Sequence, residues 1–281
     1  MTSSAAVPVH VPTLKERIGA KSPDEVFKYI KGLIYGEPGA GKTYLFGTVE
    51  DDPEHFLPAL LVDIDGGTAT IRNRHKIDVK PVKNMEQLKE LYRELAADPD
   101  YYICLCIDNI SELQKIDMNE VMVEYKENAQ NPDNIDIYVP DQRAWGKSGE
   151  RMRIIIRAFR DLPAHVFMFA HLEEREDKIT KVPRIWPSLP GKLRHELSGF
   201  FDVVGMISTY EAENTVYRQI QFAKTRRVAA KDRFNVLPQV MQENPTIPQI
   251  WSVISQADAK IQPTDPLQAL KSAVTPATQS A

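Results

Sequence analysis

Gly36-Glu37-Pro38-Gly39-Ala40-Gly41-Lys42-Thr43 is the segment that leaves this chain the fewest ways to fold. The apolar run Gly32-Leu33-Ile34-Tyr35 precedes it, and Tyr44-Leu45-Phe46 follows as the start of a helix. Strand, glycine loop and helix are the context in which G-x-x-x-x-G-K-T closes around phosphate. The glycines let backbone N–H groups turn inward with no Cβ in the way. The helix N-terminus adds unpaired donors and the positive end of its dipole. Lys42 is expected to reach the β- and γ-phosphates and the Thr43 hydroxyl to ligate Mg²⁺. Residues 36–44, Tyr44 included, are the expected nucleotide-binding segment.

The rest of the chain supplies strands and helices in alternation. Residues 59–65 form a second apolar strand that ends at Gly66-Gly67. Asn84 caps an amphipathic helix through Ala97, with Leu88, Leu91 and Leu95 on one face. Residues 101–108 are a third strand, and a polar helical segment follows to about Leu162, broken near Asn131-Pro132-Asp133. Residues 164–171, 201–207 and 216–224 read as the fourth, fifth and sixth strands. Ser22-Pro23-Asp24-Glu25 has the cap, proline and early acids of a helix running to about Ile30. Strands apolar along their whole length imply a mostly parallel sheet covered by helices on both faces. The expected organisation is one α/β domain over residues 13–256, with disordered polar tails at 1–12 and 257–281.

Composition narrows the function classes. A net charge of −4 argues against a passive basic coat for nucleic acid. No apolar run is long enough to span a membrane and the N-terminus has no signal layout, so a cytoplasmic location is expected. Cys104 and Cys106 alternate on one strand, a poor geometry for a disulfide, and read as buried free thiols.

Ligands of such sheets bind at the carboxyl ends of the strands, where further candidates fall. Asp108 ends an apolar strand and is expected to hold the Mg²⁺ water shell beside Thr43. Asn109 and Ser111 read as caps of the next helix. A group that positions or deprotonates water is also needed, and Asp65 is favoured over Glu112 and the deeper Asp63. His171 closes the run Val166-Phe167-Met168-Phe169-Ala170, either as a sensor of the γ-phosphate or as a strand-end cap.

The phosphate loop, Leu-Leu-Val-Asp-Ile-Asp-Gly-Gly, Cys-Ile-Asp-Asn-Ile, Phe-Ala-His and Phe-Asp-Val-Val-Gly-Met-Ile stand here in that order over about residues 28–240. This resembles the RecA-like phosphate-loop ATPases, closest to their short phage branch, which includes single-strand annealing recombinases. The resemblance implies a RecA-like core, ATP as the nucleotide with Mg²⁺, and head-to-tail self-association. It also implies single-stranded DNA and a single-strand binding protein as partners, in the bacterial host cytoplasm for a phage protein. Asp65 matches the carboxylate that activates water, where the family usually has the longer glutamate. His171 matches the polar residue that couples nucleotide state to a DNA-binding loop. Gln221-Phe222-Ala223-Lys224-Thr225-Arg226 resembles the segment whose cations reach the neighbouring subunit's γ-phosphate, which nominates Lys224 and Arg226.

After His171 the chain is acidic and then basic, with Trp186 among Lys178, Lys181, Arg184, Lys192 and Arg194. Cations neutralise phosphates and an exposed Trp stacks on bases. The same segment reads equally as a lid with Trp186 packed inward. Arg143, Trp145, Lys147, Arg151 and Arg153 form a second basic patch on or beside a helix. Two rival functions stay open: a nucleotide-gated assembly protein with little turnover, and a small-molecule phosphotransferase using residues 172–197 as a lid.

Overall fold

In the computed structural model, which describes residues 13–22, 27–176 and 181–261, the phosphate-loop strand lies inside a large sheet. The strands are β1 (Lys31–Gly36), β2 (Ala59–Asp63), β3 (Ile77–Pro81), β4 (Cys104–Asp108) and β5 (His165–Glu176). They continue as β6 (Pro183–Pro187), β7 (Val203–Ala212), β8 (Thr215–Gln221), β9 (Lys231–Asp232) and β10 (Val240–Met241). The sheet runs β10-β8-β7-β1-β5-β4-β2-β3, with β6 paired to β5 and β9 to β7. From β7 to β3 every pairing on this path is parallel. This is the mostly parallel, helix-flanked sheet expected of a RecA-like core.

Alternation along each buried strand feeds two cores. Leu33 and Tyr35 of β1, Leu105 and Ile107 of β4, and Val166, Met168 and Ala170 of β5 share one face. That face is covered by α4 (Met85–Ala97), α5 (Ile110–Glu127), α6 (Gln142–Arg160) and α7 (Leu193–Phe200). Ile34, Cys104, Cys106, Phe167 and Phe169 point the other way. There they meet α2 (Lys42–Gly47), α3 (Pro53–Phe56) and α8 (Ile247–Ile261). With helices on both faces neither side of these strands can be polar, so they read as continuous apolar runs. Cys104 and Cys106 are buried free thiols, pushed up in pKa by burial.

Some boundaries differ from the sequence reading. β3 pairs with β2 at the sheet edge and was not foreseen, because Asp78, Val79, Lys80 and Pro81 are exposed and carry no apolar run. β5 does not stop at His171: residues 172–176 pair antiparallel with β6, so the expected basic loop begins as a hairpin. Beyond the covered sheet those strands need no apolar face, and hydrophobicity stops reporting them. The Ser22–Ile30 helix falls partly on residues 23–26, outside the described residues, while residues 27–30 are not helical. The helix α8 continues to Ile261, across the boundary expected at 257. Residues 1–12 lie outside the described residues, and α1 (Leu14–Ile18) follows them, closed by a Thr13–Glu16 capping box. Among the described residues no helix is long and apolar enough to cross a membrane.

Candidate active site

Register brings the candidates to one edge of the sheet. Gly36 at the end of β1 is level with His171 on β5, and Asp63 at the end of β2 is level with Asp108 on β4. The chain then turns through the glycine loop into α2, whose N-cap is Gly41, in the left-handed region with no side-chain capping bond. The first N–H groups of α2 are thus left for another acceptor. Gly36 is required by a close approach: a Cβ there would stand 2.4 Å from the Ile207 carbonyl oxygen.

The Lys42 ammonium, buried, donates to the carbonyls of Gly36 at 3.0 Å and Glu37 at 2.9 Å. Burial lowers its pKa, opposed by the nearby charges of Asp108 and Asp65. Thr43 Oγ1 donates to Asp108 Oδ2 at 2.5 Å. The Asp108 carboxyl is pushed up to about 6, first by burial and then by Asp65 and Asp63, against the Thr43 bond and Lys42. Three carboxylates on one edge repel one another, and a cation between them would relieve the repulsion. One hydroxyl beside one carboxylate suits Mg²⁺, which keeps much of its water shell. Among the described residues no three His, Cys, Asp or Glu side chains gather as a closed metal cage. Asp63 accepts from the Gly66 N–H at 2.8 Å and so shapes the turn that follows β2.

Asp65 is exposed, and its Oδ2 accepts from the Asn109 amide at 3.0 Å. The same amide nitrogen lies 3.3 Å from His171 Nε2, and Glu112 Oε1 lies 3.2 Å from that ring nitrogen on the other side. Nε2 accepts from Asn109 or donates to Glu112, but not both at once in a neutral ring. His171 Nδ1 is buried with no hydrogen-bond partner among the described residues. Asn109 caps α5, its Oδ1 accepting from the Glu112 N–H at 2.9 Å, so the expected capping role is present. Its bridge from Asp65 to His171 was missed, since nothing marks a strand-end Asn for more than capping. Ser111 is no cap: its Oγ donates to the Ser188 carbonyl at 2.8 Å and accepts from the His171 N–H at 3.0 Å.

Lys224 and Arg226 are elsewhere. They are exposed after β8, and with Arg184, Trp186, His195 and Arg227 they line a cleft of about 260 Å³. Sequence reasoning had put Trp186 and the two cations in separate roles; a parallel bridge between Ile185 and Val228 brings them together. Trp186 is half-buried, edge-on to His195 at 4.6 Å and beneath the Arg184 guanidinium at 5.6 Å. Arg194 is buried and paired with Glu173 at 2.8 Å, and Lys181 pairs with Glu176 at 3.1 Å. In the second patch Lys147 pairs with Glu124, Arg151 with Glu124 at 2.8 Å, and Arg153 with Glu196 at 2.6 Å. These three cations thus have carboxylate partners on neighbouring helices. Lys178 lies outside the described residues.

No curated protein matches the chain. Among solved structures it is similar to a KaiC-like protein from the hyperthermophilic archaeon Pyrococcus horikoshii. The two are 14% identical over 76% of this chain and 88% of that one, with a TM-score of 0.37. A family model described as an AAA domain matches residues 28–234, from just before β1 to past β9. The chain belongs to this AAA-domain family of phosphate-loop ATPases.

Proposed function

We propose that this chain is a Mg²⁺-dependent ATPase of the RecA-like type that assembles head to tail and acts on single-stranded DNA in phage recombination, annealing or replication. One observation carries the reading: β5 joins His171, at the phosphate edge, to the β5–β6 hairpin that builds the cationic, Trp-bearing cleft. Residues 36–44 hold the phosphates through backbone N–H groups, with Lys42 on the β- and γ-oxygens. Mg²⁺ held by Thr43 and Asp108 would neutralise charge on the phosphoryl oxygens. Asp65 orients the attacking water and takes its proton, with one oxygen held by Asn109 and the other open.

His171 exchanges Nε2 between Asn109 and Glu112 as the partners of Asp65 change. Its backbone carries the shift toward the cleft, because its carbonyl accepts from the Ser188 N–H at 2.7 Å. The cleft cations neutralise DNA phosphates while Trp186 offers a ring to an unpaired base. Lys224 and Arg226, which have no ion-pair partner among the described residues, also serve the next subunit's nucleotide.

The test is ATP hydrolysis by the wild type and by Lys42→Ala, with and without single-stranded DNA, at two salt concentrations. Stimulation by DNA that falls with salt and vanishes in Lys42→Ala supports the proposal. Tight ATP binding without stimulated turnover replaces it with the nucleotide-gated assembly protein, which the short, exposed Asp65 favours.

A further inference from the structure

The β7–β8 hairpin also reaches the phosphate loop, through a residue that no motif marks. Arg218, on β8 opposite Thr209, lies across the last glycine of the loop. A Cβ built on Gly41 would stand 2.2 Å from Arg218 Nε and 2.7 Å from its Cδ. The guanidinium stacks on the Tyr44 ring, with Cζ 4.4 Å from its centroid. The main chain of Arg218 is pinned on both sides by Asn244, whose side chain accepts its N–H at 3.0 Å and whose own N–H reaches its carbonyl at 3.0 Å. Yet Arg218 Nε is buried with no hydrogen-bond partner among the described residues. A buried guanidinium N–H left unsatisfied is costly, and a rigid backbone holds this one against the loop.

We propose that Arg218 is a nucleotide-binding residue acting within its own chain, clamping the α-phosphate end of the nucleotide against Gly41 and Tyr44. Three features point to that end. Arg218 meets the loop at Gly41 and Tyr44, where backbone N–H groups cradle the α- and β-phosphates. Among the described residues no hydrogen bond or ion pair joins it to Asp65, Asn109 or His171, which bond to one another. Its planar donor set suits phosphate oxygens, and its stack on Tyr44 holds the guanidinium plane beside the loop. A bound nucleotide would therefore tie the β7–β8 hairpin to the loop. This inference rests on the nucleotide-binding reading above.

The experiment is calorimetric titration of ATP and of ADP into the full chain and into Arg218→Ala, Arg218→Gln and Arg218→Lys. Loss of one charge-assisted hydrogen bond corresponds to roughly ten- to a hundredfold in affinity. The expected result is that loss for both nucleotides in Arg218→Ala and Arg218→Gln, with partial recovery in Arg218→Lys. Arg218→Gln keeps length and polarity, so it separates loss of the donor from loss of the fold, checked by circular dichroism. Wild-type affinity in Arg218→Gln would overturn the inference alone. Weakened ATP with unchanged ADP would overturn it too, by moving Arg218 to the γ-phosphate. A wild type that binds neither nucleotide would sink the underlying reading as well.

Discussion

The two ends of the same parallel strands bury ionisable groups in different ways. At the amino ends, the Lys31 ammonium donates to the carbonyls of Leu162 and Ala164, each at 2.6 Å, and the backbone N–H of Lys31 donates to Asp202. His165 Nδ1 accepts from the Ile30 N–H at 3.1 Å, and the ring sits edge-on to Trp251 at 5.0 Å. Burial lowers Lys31 to about 8 and His165 to about 3, and partners inside the chain satisfy both. At the carboxyl ends, Asp63, Asp65 and Asp108 repel one another, while His171 Nδ1 and Arg218 Nε have no hydrogen-bond partner among the described residues. Burial of a charge therefore does not mark a site here. The carboxyl edge differs in holding buried nitrogens with neither a hydrogen bond nor an ion pair among the described residues, whereas Asp117, also without a hydrogen-bond partner, pairs with Arg151 at 3.0 Å.

The comparison breaks most visibly in turnover. Lys42→Ala and Asp108→Asn should each lower ATP hydrolysis at least about a hundredfold, because each removes charge stabilisation of the transferring phosphoryl group. Their folding free energies should change by less than about 1 kcal/mol in urea unfolding, since each change also removes a desolvated charge. A large loss of stability would make the carboxyl edge as structural as the amino edge.

The amino end should behave inversely. His165→Ala strands the Ile30 N–H and opens a cavity, costing about 2–4 kcal/mol in urea unfolding. Turnover per folded molecule should stay within about twofold. The pH dependence follows from the same residue. The native pKa of His165, about 3, lies below the usual 6.5, so below pH 6.5 the unfolded chain binds a proton that the native state refuses. Its contribution is fully present above that pH. It falls toward pH 3 by up to about 1.4 kcal/mol per pH unit. His165→Asn should flatten that slope between pH 6.5 and 4, read from denaturation midpoints. The smallest effect is Glu112→Gln, which takes the carboxylate from His171 without touching the loop. Basal hydrolysis should move less than about fivefold, and a larger change would assign Glu112 the water-positioning role given to Asp65.

The sequence alone determined the core strands, the phosphate loop, and the placing of Asp108 at the end of its strand, whereas Asp65 lies two residues past β2 and His171 lies within β5. Those features are local or periodic: glycine spacing is dictated by contact with phosphate, and apolar runs by helices on both faces. Tertiary structure decided what pairing brings together across long separations. Ile185 meeting Val228 puts Trp186 beside Lys224 and Arg226, and Thr209 opposite Arg218 lays that guanidinium on Gly41. The Asn109 bridge between Asp65 and His171 likewise exists only once β2, β4 and β5 align. A strand's pattern encodes which face is buried, not which residue of a distant strand lies opposite, and these contacts are set by register.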